Sequence, residues 1–232
     1  MQTYGQYCPV AKATELVADR WTPLILRELL AGSHHFNELE RGLPGIARSL
    51  LVQRLRRLQR AGVVERRTTG SGRACSYELT VAGRALRSLI QALGEWGAQW
   101  LLGDPLPDEL DGGLLLWRMR KRIDHDRLPR RRVVTQFDFR GARTETLWLL
   151  LEPTDVSICL HDPGFDVDVL VTADIATMHR VFVGRIDLAD ALRDDSVHLD
   201  GAPALTRAFG SWFTWSPFAE TVRRAQQERG AA

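Results

Sequence analysis

Residues 36–73, FNELERGLPGIARSLLVQRLRRLQRAGVVERRTTGSGR, restrict the possible folds of this chain more than any other stretch. Leu51, Leu55 and Leu58 recur at spacings of four and three, which sets them on one face of a helix and turns that face to a core. Ser49, Gln53, Arg56, Arg57 and Arg60 fall roughly opposite. A short helix and a Gly42-Leu43-Pro44-Gly45 turn come first, so two helices can meet at a steep angle. Afterwards residues 62–68 alternate as a strand, Gly70-Ser71-Gly72-Arg73 makes a basic tip, and residues 75–79 return as the partner strand. Helix, turn, helix and hairpin is the order of a winged helix-turn-helix.

The same stretch holds nine arginines against three glutamates, Glu38, Glu40 and Glu65. Arginine neutralises phosphate or forks onto guanine, glutamine does the same with adenine, and serine serves phosphate or base. The outward face therefore suits a DNA major groove, with Ser49, Gln53, Arg56 and Arg57 reading or gripping it and Arg48 and Arg60 near phosphate. Arg66, Arg67 and Arg73 would support contacts of the wing with backbone or minor groove. A merely solvated helix also shows a charged face; the hairpin that follows directly is what favours DNA.

At 232 residues, 44% hydrophobic and 26% charged, the composition is that of a soluble globular protein with room for two domains. The net charge of +2 divides unevenly: residues 1–103 carry 14 Lys+Arg and 8 Asp+Glu, or +6, and residues 104–232 carry 17 and 21, or −4. The basic half suits nucleic acid. No segment approaches the ~20 apolar residues of a membrane helix and the N-terminus lacks the regions of a signal peptide, so the expected location is cytoplasmic. Cys8, Cys75 and Cys159 are odd in number and far apart, which fits free thiols.

Ahead of the basic stretch, Cys8-Pro9-Val10 opens a helix with apolar positions at Val10, Ala13, Leu16 and Val17, and Thr22 caps a second helix that runs from Leu24. Beyond the hairpin, Thr80 caps a long helix with an apolar stripe of Leu86, Leu89, Ile90, Leu93, Trp96, Gly97, Trp100 and Leu101. That stripe is wide enough to pair two copies of the chain, or to pack on the chain's own second half.

Taken together, CPVAKATELVADRWTPLILRELLAG, HHFNELERGLPGI, LVQRLRRLQRAGVVERR, YELTVAGRAL and LGEWGAQW resemble the HxlR-type branch of the winged helix-turn-helix regulators, relatives of the MarR type, over residues 4–101. The resemblance implies a homodimeric transcription factor on a roughly palindromic operator in double-stranded DNA. It also implies that Cys8 can sense oxidants or electrophiles, because family members often carry a cysteine there. A helix N-terminus favours the thiolate, whereas an unpaired cysteine is otherwise a small buried residue.

Residues 103–108, with two prolines and two acids, read as the boundary. The expected domains are 1–103 for DNA binding and dimerisation, a 104–110 linker, a 111–220 α+β domain and a partly disordered 221–232 tail. Residues 110–120 read as helix or strand alike. Arg118, Arg120, Lys121, Arg122, Arg130, Arg131 and Arg132 make a second basic cluster, which could add phosphate contacts but is expected rather as a solvated face or in ion pairs with this acidic domain. Strands at 133–139, 145–151, 155–160 and 167–171 precede helices at 173–183 and 188–193, a strand at 197–199 and a helix at 203–212, an α+β order. Cys159 reads as a core strand residue.

That order, with VTADIATMHRVFVGRIDLADALRDDSVHLDGAPALTRAFGSWF, is similar to the sterol carrier protein-like domain over residues 111–218. The likeness implies an apolar cavity for a hydrophobic small molecule, lined by Trp148, Phe165, Met178, Phe182, Phe209, Trp212 and Phe213; the same side chains would equally fill a core. The histidines show no HExxH spacing, and no Gly-x-Ser-x-Gly turn or Gly-rich phosphate loop occurs. Neither catalysis, cofactor nor metal is expected. The rival to a regulator is a hydrophobic-ligand carrier whose winged helix serves dimerisation only.

Overall fold

The computed structural model describes residues 3–69, 74–141 and 144–230, with the backbone alone at Thr69 and Ala74. The chain divides into two compact units, Met1–Leu93 and Gly94–Ala232.

The first unit begins with α1 (Pro9–Val17) and α2 (Thr22–Leu30). The expected stripe of α1 holds only in its second half: Leu16 and Val17 pack on the core, whereas Val10 and Ala13 are exposed and Ala11 is buried. Nor does Thr22 cap α2, because Trp21 holds the N-cap position with φ at 77° and Thr22 is already helical. A left-handed tryptophan is strained, and its ring is held by packing on the core. α3 (Phe36–Arg41) starts where the Glu38 carboxylate accepts the backbone N–H groups of His34 at 2.9 Å and His35 at 3.0 Å.

The turn into α4 (Arg48–Arg60) depends on two glycines. A Cβ on Gly42 would fall 2.2 Å from Glu28 Oε2, and Gly45 has φ +85°. Glu28 is buried, and Arg27 Nη2 bonds both its carboxylate at 2.9 Å and the Gly42 carbonyl at 3.1 Å. Ser33 Oγ donates to the other carboxylate oxygen at 3.1 Å. A buried, paired acid thus fastens α2 to the helix turn. Leu51, Leu55 and Leu58 are at most 1% exposed and join Ile25, Leu26, Leu29, Leu39 and Leu43 in one core.

β1 (Val64–Thr69) and β2 (Ala74–Leu79) pair antiparallel from Val64 opposite Leu79 to Thr69 opposite Ala74. His35 bridges Ser76, so the hairpin is anchored to the segment before α3. Thr80 caps only α5 (Val81–Ala85), accepting the Gly83 N–H at 3.2 Å. The expected long helix breaks at Leu86 and resumes as α6 (Arg87–Trp100), inside which the unit division falls. Leu89, Leu93, Trp96, Trp100 and Leu101 remain exposed, the two tryptophans at 56% and 63%.

The second unit resolves residues 110–120 as α7 (Gly112–Arg120), whose first turn is capped by Asp111 on the Leu114 N–H at 2.8 Å. It then carries a five-stranded sheet of β3 (Val133–Arg140), β4 (Glu145–Leu151), β5 (Val156–Cys159), β6 (Val169–Asp174) and, after α8 (Ile175–Val183) and α9 (Leu188–Arg193), β7 (Val197–Gly201). The order is β5-β4-β3-β6-β7, antiparallel except for β3 with β6. Alternation buries Leu147, Leu149, Leu151, Phe137 and Phe139 on one face, where α7, α8 and α10 (Pro203–Ala208) contribute to the core. The helix expected over 203–212 tightens after Ala208 into a 3₁₀ turn, Phe209–Trp212.

Two expectations fail here. The tail is no loose end: α11 (Ala219–Gly230) buries Ala219, Val222 and Ala225, and Ala219 packs so closely on Gly184 that a Cβ there would lie 2.6 Å from its own. Cys159 lies half-buried on edge strand β5, not in the core. Much of the second basic cluster is tied down within this unit. Arg131 pairs with Asp168 at 2.9 Å and Arg132 with Glu152 at 2.7 Å, while Arg122 donates to the Trp215 carbonyl at 2.7 Å.

Candidate nucleic-acid interface

The interface candidate is the solvent side of α4 with the hairpin beyond it. Because three leucines seat α4 in the core, its remaining positions are forced outward, and Ser49, Gln53, Arg56 and Arg60 are exposed. No side-chain partner holds Gln53 or Arg56 among the described residues, so both present their donors to solvent. Arg48, at the first helical position, pairs with Glu40 at 3.2 Å and lies 5.2 Å from the centroid of the Phe36 ring. An exposed pair of this kind is weak and yields to a phosphate.

Arg57 departs from the expected face. Its side chain is only 20% exposed, its Nη1 donates to Asp19 and its Nη2 to the Glu15 carbonyl. Arg54, not singled out by the helical wheel, shares the Asp19 carboxylate at 2.8 Å. Both arginines therefore brace α4 against α1 and the loop after it. On a helix of 3.6 residues per turn, Arg57 is flanked by Gln53 at i−4 on the outer face and by Leu58 on the inner, and a border residue goes where its counter-charge lies. Asp19 supplies that counter-charge from 38 positions earlier in the chain.

On the wing, Arg67 is engaged by Glu65 at 3.0 Å, and Arg66 Nη2 donates to Cys75 Sγ at 2.9 Å. The hydrogen bond to Cys75, with the electrostatic pull of Cys75 and Tyr77, raises the pKa of the Arg66 guanidinium above its usual value. Arg66 and Arg67 are exposed; Arg73 and the tip of the hairpin lie outside the described residues.

Comparison with known proteins bears on this geometry. A family model described as an HxlR-like helix-turn-helix matches residues 16–104. Over 99 residues the chain is 34% identical to YvaP of Bacillus subtilis, an uncharacterised HTH-type transcriptional regulator, matching 42% of this chain and 92% of that protein. The chain belongs to the HxlR-like helix-turn-helix family. A second relative, the uncharacterised HTH-type regulator Rv3095 of Mycobacterium tuberculosis, is 44% identical over 93 residues, which are 40% of this chain and 58% of that protein. The chain thus spans less than two thirds of the mycobacterial protein. Among solved structures, the reduced form of the transcriptional regulator YodB from B. subtilis is 31% identical, with 41% of this chain and 96% of that one covered and a TM-score of 0.37. The HxlR match ends at residue 104, so it says nothing of the sheet and helices that follow.

Of the remaining candidate residues in this HxlR-like chain, Cys8 is a half-buried thiol at the N-cap position of α1. The seven side chains expected around a cavity do not share one wall. Met178, Phe182, Phe209, Trp212 and Phe213 lie in the packed core, with Phe209 5.7 Å from Trp212 and 5.2 Å from Phe213, ring centre to centre. Trp148 alternates to the other face of the sheet, where Nε1 donates to Gln136 Oε1 at 3.2 Å. Phe165 is exposed with the Arg132 guanidinium 4.4 Å from its ring centre. Among the described residues no cluster of His, Cys, Asp and Glu could hold a metal, and no helix is long and apolar enough to cross a membrane.

Proposed function

We propose that the protein is a sequence-specific, DNA-binding transcriptional regulator that acts as a homodimer on a palindromic operator. The observation that carries this reading is the outer face of α4: exposed Ser49, Gln53, Arg56 and Arg60, presented by a helix whose other face is locked into a core and followed at once by a wing. Gln53 and Arg56 read base edges, Arg48 and Arg60 grip phosphate, and Arg66, Arg67 and Arg73 serve the wing. Arg57 positions the helix. Relatives named as transcriptional regulators support the reading.

Dimerisation rests on the exposed Leu89, Leu93, Trp96 and Trp100, spaced by four, three and four along α6. A two-fold pair of α4 helices then meets half-sites about one DNA turn apart. The second unit, whose strand and helix order is similar to a sterol carrier protein-like domain, is assigned a sensory or scaffolding role. With five of its candidate aromatics packed in the core, a ligand there would have to displace or open that packing. Cys8 is the candidate for oxidant sensing, and loss of an oxidant response in Cys8→Ser tests it.

The test of the main reading is titration of DNA from the chain's own promoter region by full-length protein at several salt concentrations, against competitor DNA. Wild type should bind tightly with a steep salt slope. Gln53→Ala with Arg56→Ala should cost about 1–3 kcal/mol of discrimination per contact and spare the dimer. Unchanged operator preference in that double variant refutes the assignment of the face.

A further inference from the structure

Beside the DNA-facing side of α4 lies a concavity of about 710 Å³ between α1 and α4, lined by Lys12, Leu16, Gln53, Arg54, Arg57 and Arg60 among others. Its size is in the usual range for small-molecule sites. Four cations, Lys12, Arg54, Arg57 and Arg60, line it against one anion, Glu15, and a second anion, Asp19, pairs with two of those cations. Those anions are already committed. Asp19 is shared by Arg54 and Arg57, and Glu15 accepts the Tyr4 backbone N–H at 2.8 Å while Lys12 Nζ stands 3.9 Å from it. The Arg57 guanidinium is satisfied at both terminal nitrogens, yet its Nε is buried with no hydrogen-bond partner among the described residues. A buried donor without an acceptor is costly, and the cations at the concavity outnumber the anions, so the site carries net positive charge. Leu16, Ala61 and the methylene stems of the basic side chains supply apolar wall.

We propose that this concavity is an effector site for a small organic anion, a carboxylate or phosphate carried on an apolar body. The anionic group sits between Lys12, Arg54 and Arg60, and the body lies on Leu16 and Ala61. Gln53 and Arg60 belong both to this site and to the outer face of α4, so an anion held there competes with DNA for the same side chains. That consequence rests on the DNA reading above; the anion site itself does not. Arg54 and Arg57 are the braces of α4, so an anion that draws them from Asp19 also loosens the helix's seating. Linkage then requires that DNA weaken the anion by the same factor as the anion weakens DNA.

The deciding experiment is calorimetric titration of the full chain, free of DNA, with three probes: inorganic phosphate, phenyl phosphate and phenylacetate. At least one phenyl probe should bind about tenfold or more tighter than inorganic phosphate, since burying a ring on the apolar wall is worth more than the ~1.4 kcal/mol that tenfold requires. Which phenyl probe binds separates a phosphate site from a carboxylate site. Lys12→Ala with Arg60→Ala, both exposed and outside the core, should weaken that probe about tenfold or more. The proposal is overturned if no probe binds at millimolar concentration, or if the double variant binds as wild type does. It is also overturned if inorganic phosphate binds as well as the phenyl probes, which would make the concavity a contact for the DNA backbone. A second titration, of DNA with and without the winning probe, tests competition alone, so a protein that failed to bind DNA would leave the calorimetric result standing.

Discussion

His179 gives the chain a specific acid sensitivity. It lies on α8 and is 7% exposed, and its Nε2 is buried without a hydrogen-bond partner among the described residues. Burial pushes its pKa down from 6.5 to about 4, and the Arg118 charge pushes the same way; Asp111, through its charge and a backbone hydrogen bond, and the Glu109 charge oppose them. Because the folded value is depressed, the unfolded chain binds a proton that the folded chain refuses between pH 6.5 and 4. Stability therefore falls as the pH falls through that window. The loss amounts to about 1.4 kcal/mol at pH 5.5, about 2 kcal/mol at pH 5 and about 3 kcal/mol near pH 4. Asp104, Asp168 and Asp194 also have lowered pKa values, but theirs lie below 3.8, so their contributions are lost only at lower pH. Urea unfolding of the full chain at pH 7, 6, 5.5 and 5, followed by far-ultraviolet circular dichroism, measures the effect, with His179→Gln as the reference. The variant should lose about 2 kcal/mol less than wild type between pH 7 and 5, all other titrating groups cancelling. Identical pH dependence in the two proteins would refute a neutral, buried His179.

Thr135 is fully buried and its hydroxyl has no partner among the described residues, so Thr135→Val should stabilise the second unit by about 1 kcal/mol in the same unfolding assay. Leu55→Ala opens a hole in the core under α4 and should cost about 2–5 kcal/mol, lowering the thermal midpoint of the first unit. Asp19→Asn removes the counter-charge of Arg54 and Arg57; DNA affinity should change while far-ultraviolet dichroism is kept, and an unaltered affinity would deny those residues a part in seating α4. Ending the chain after Phe218 removes the buried side chains of α11, and a thermal midpoint no lower than that of the full chain would contradict their packing role.

Local sequence determined much of this protein. The leucine spacing of α4, the glycines of the turn before it, and the alternation of β3 and β4 act through neighbours a few residues away, and a helix or strand period is visible in any window that contains it. The exposed face of α4 follows by subtraction once its leucines are seated. The tertiary structure alone decided what depends on distant partners. Asp19 claims Arg57 from across the fold, Glu28 turns from an ordinary helical acid into the clasp beneath Gly42, and α11 becomes ordered because Gly184 lets Ala219 approach. The aromatics of the second unit likewise read alike as cavity lining or as core. Only packing distinguishes the two, because an apolar side chain carries no mark of whether the space beside it is filled.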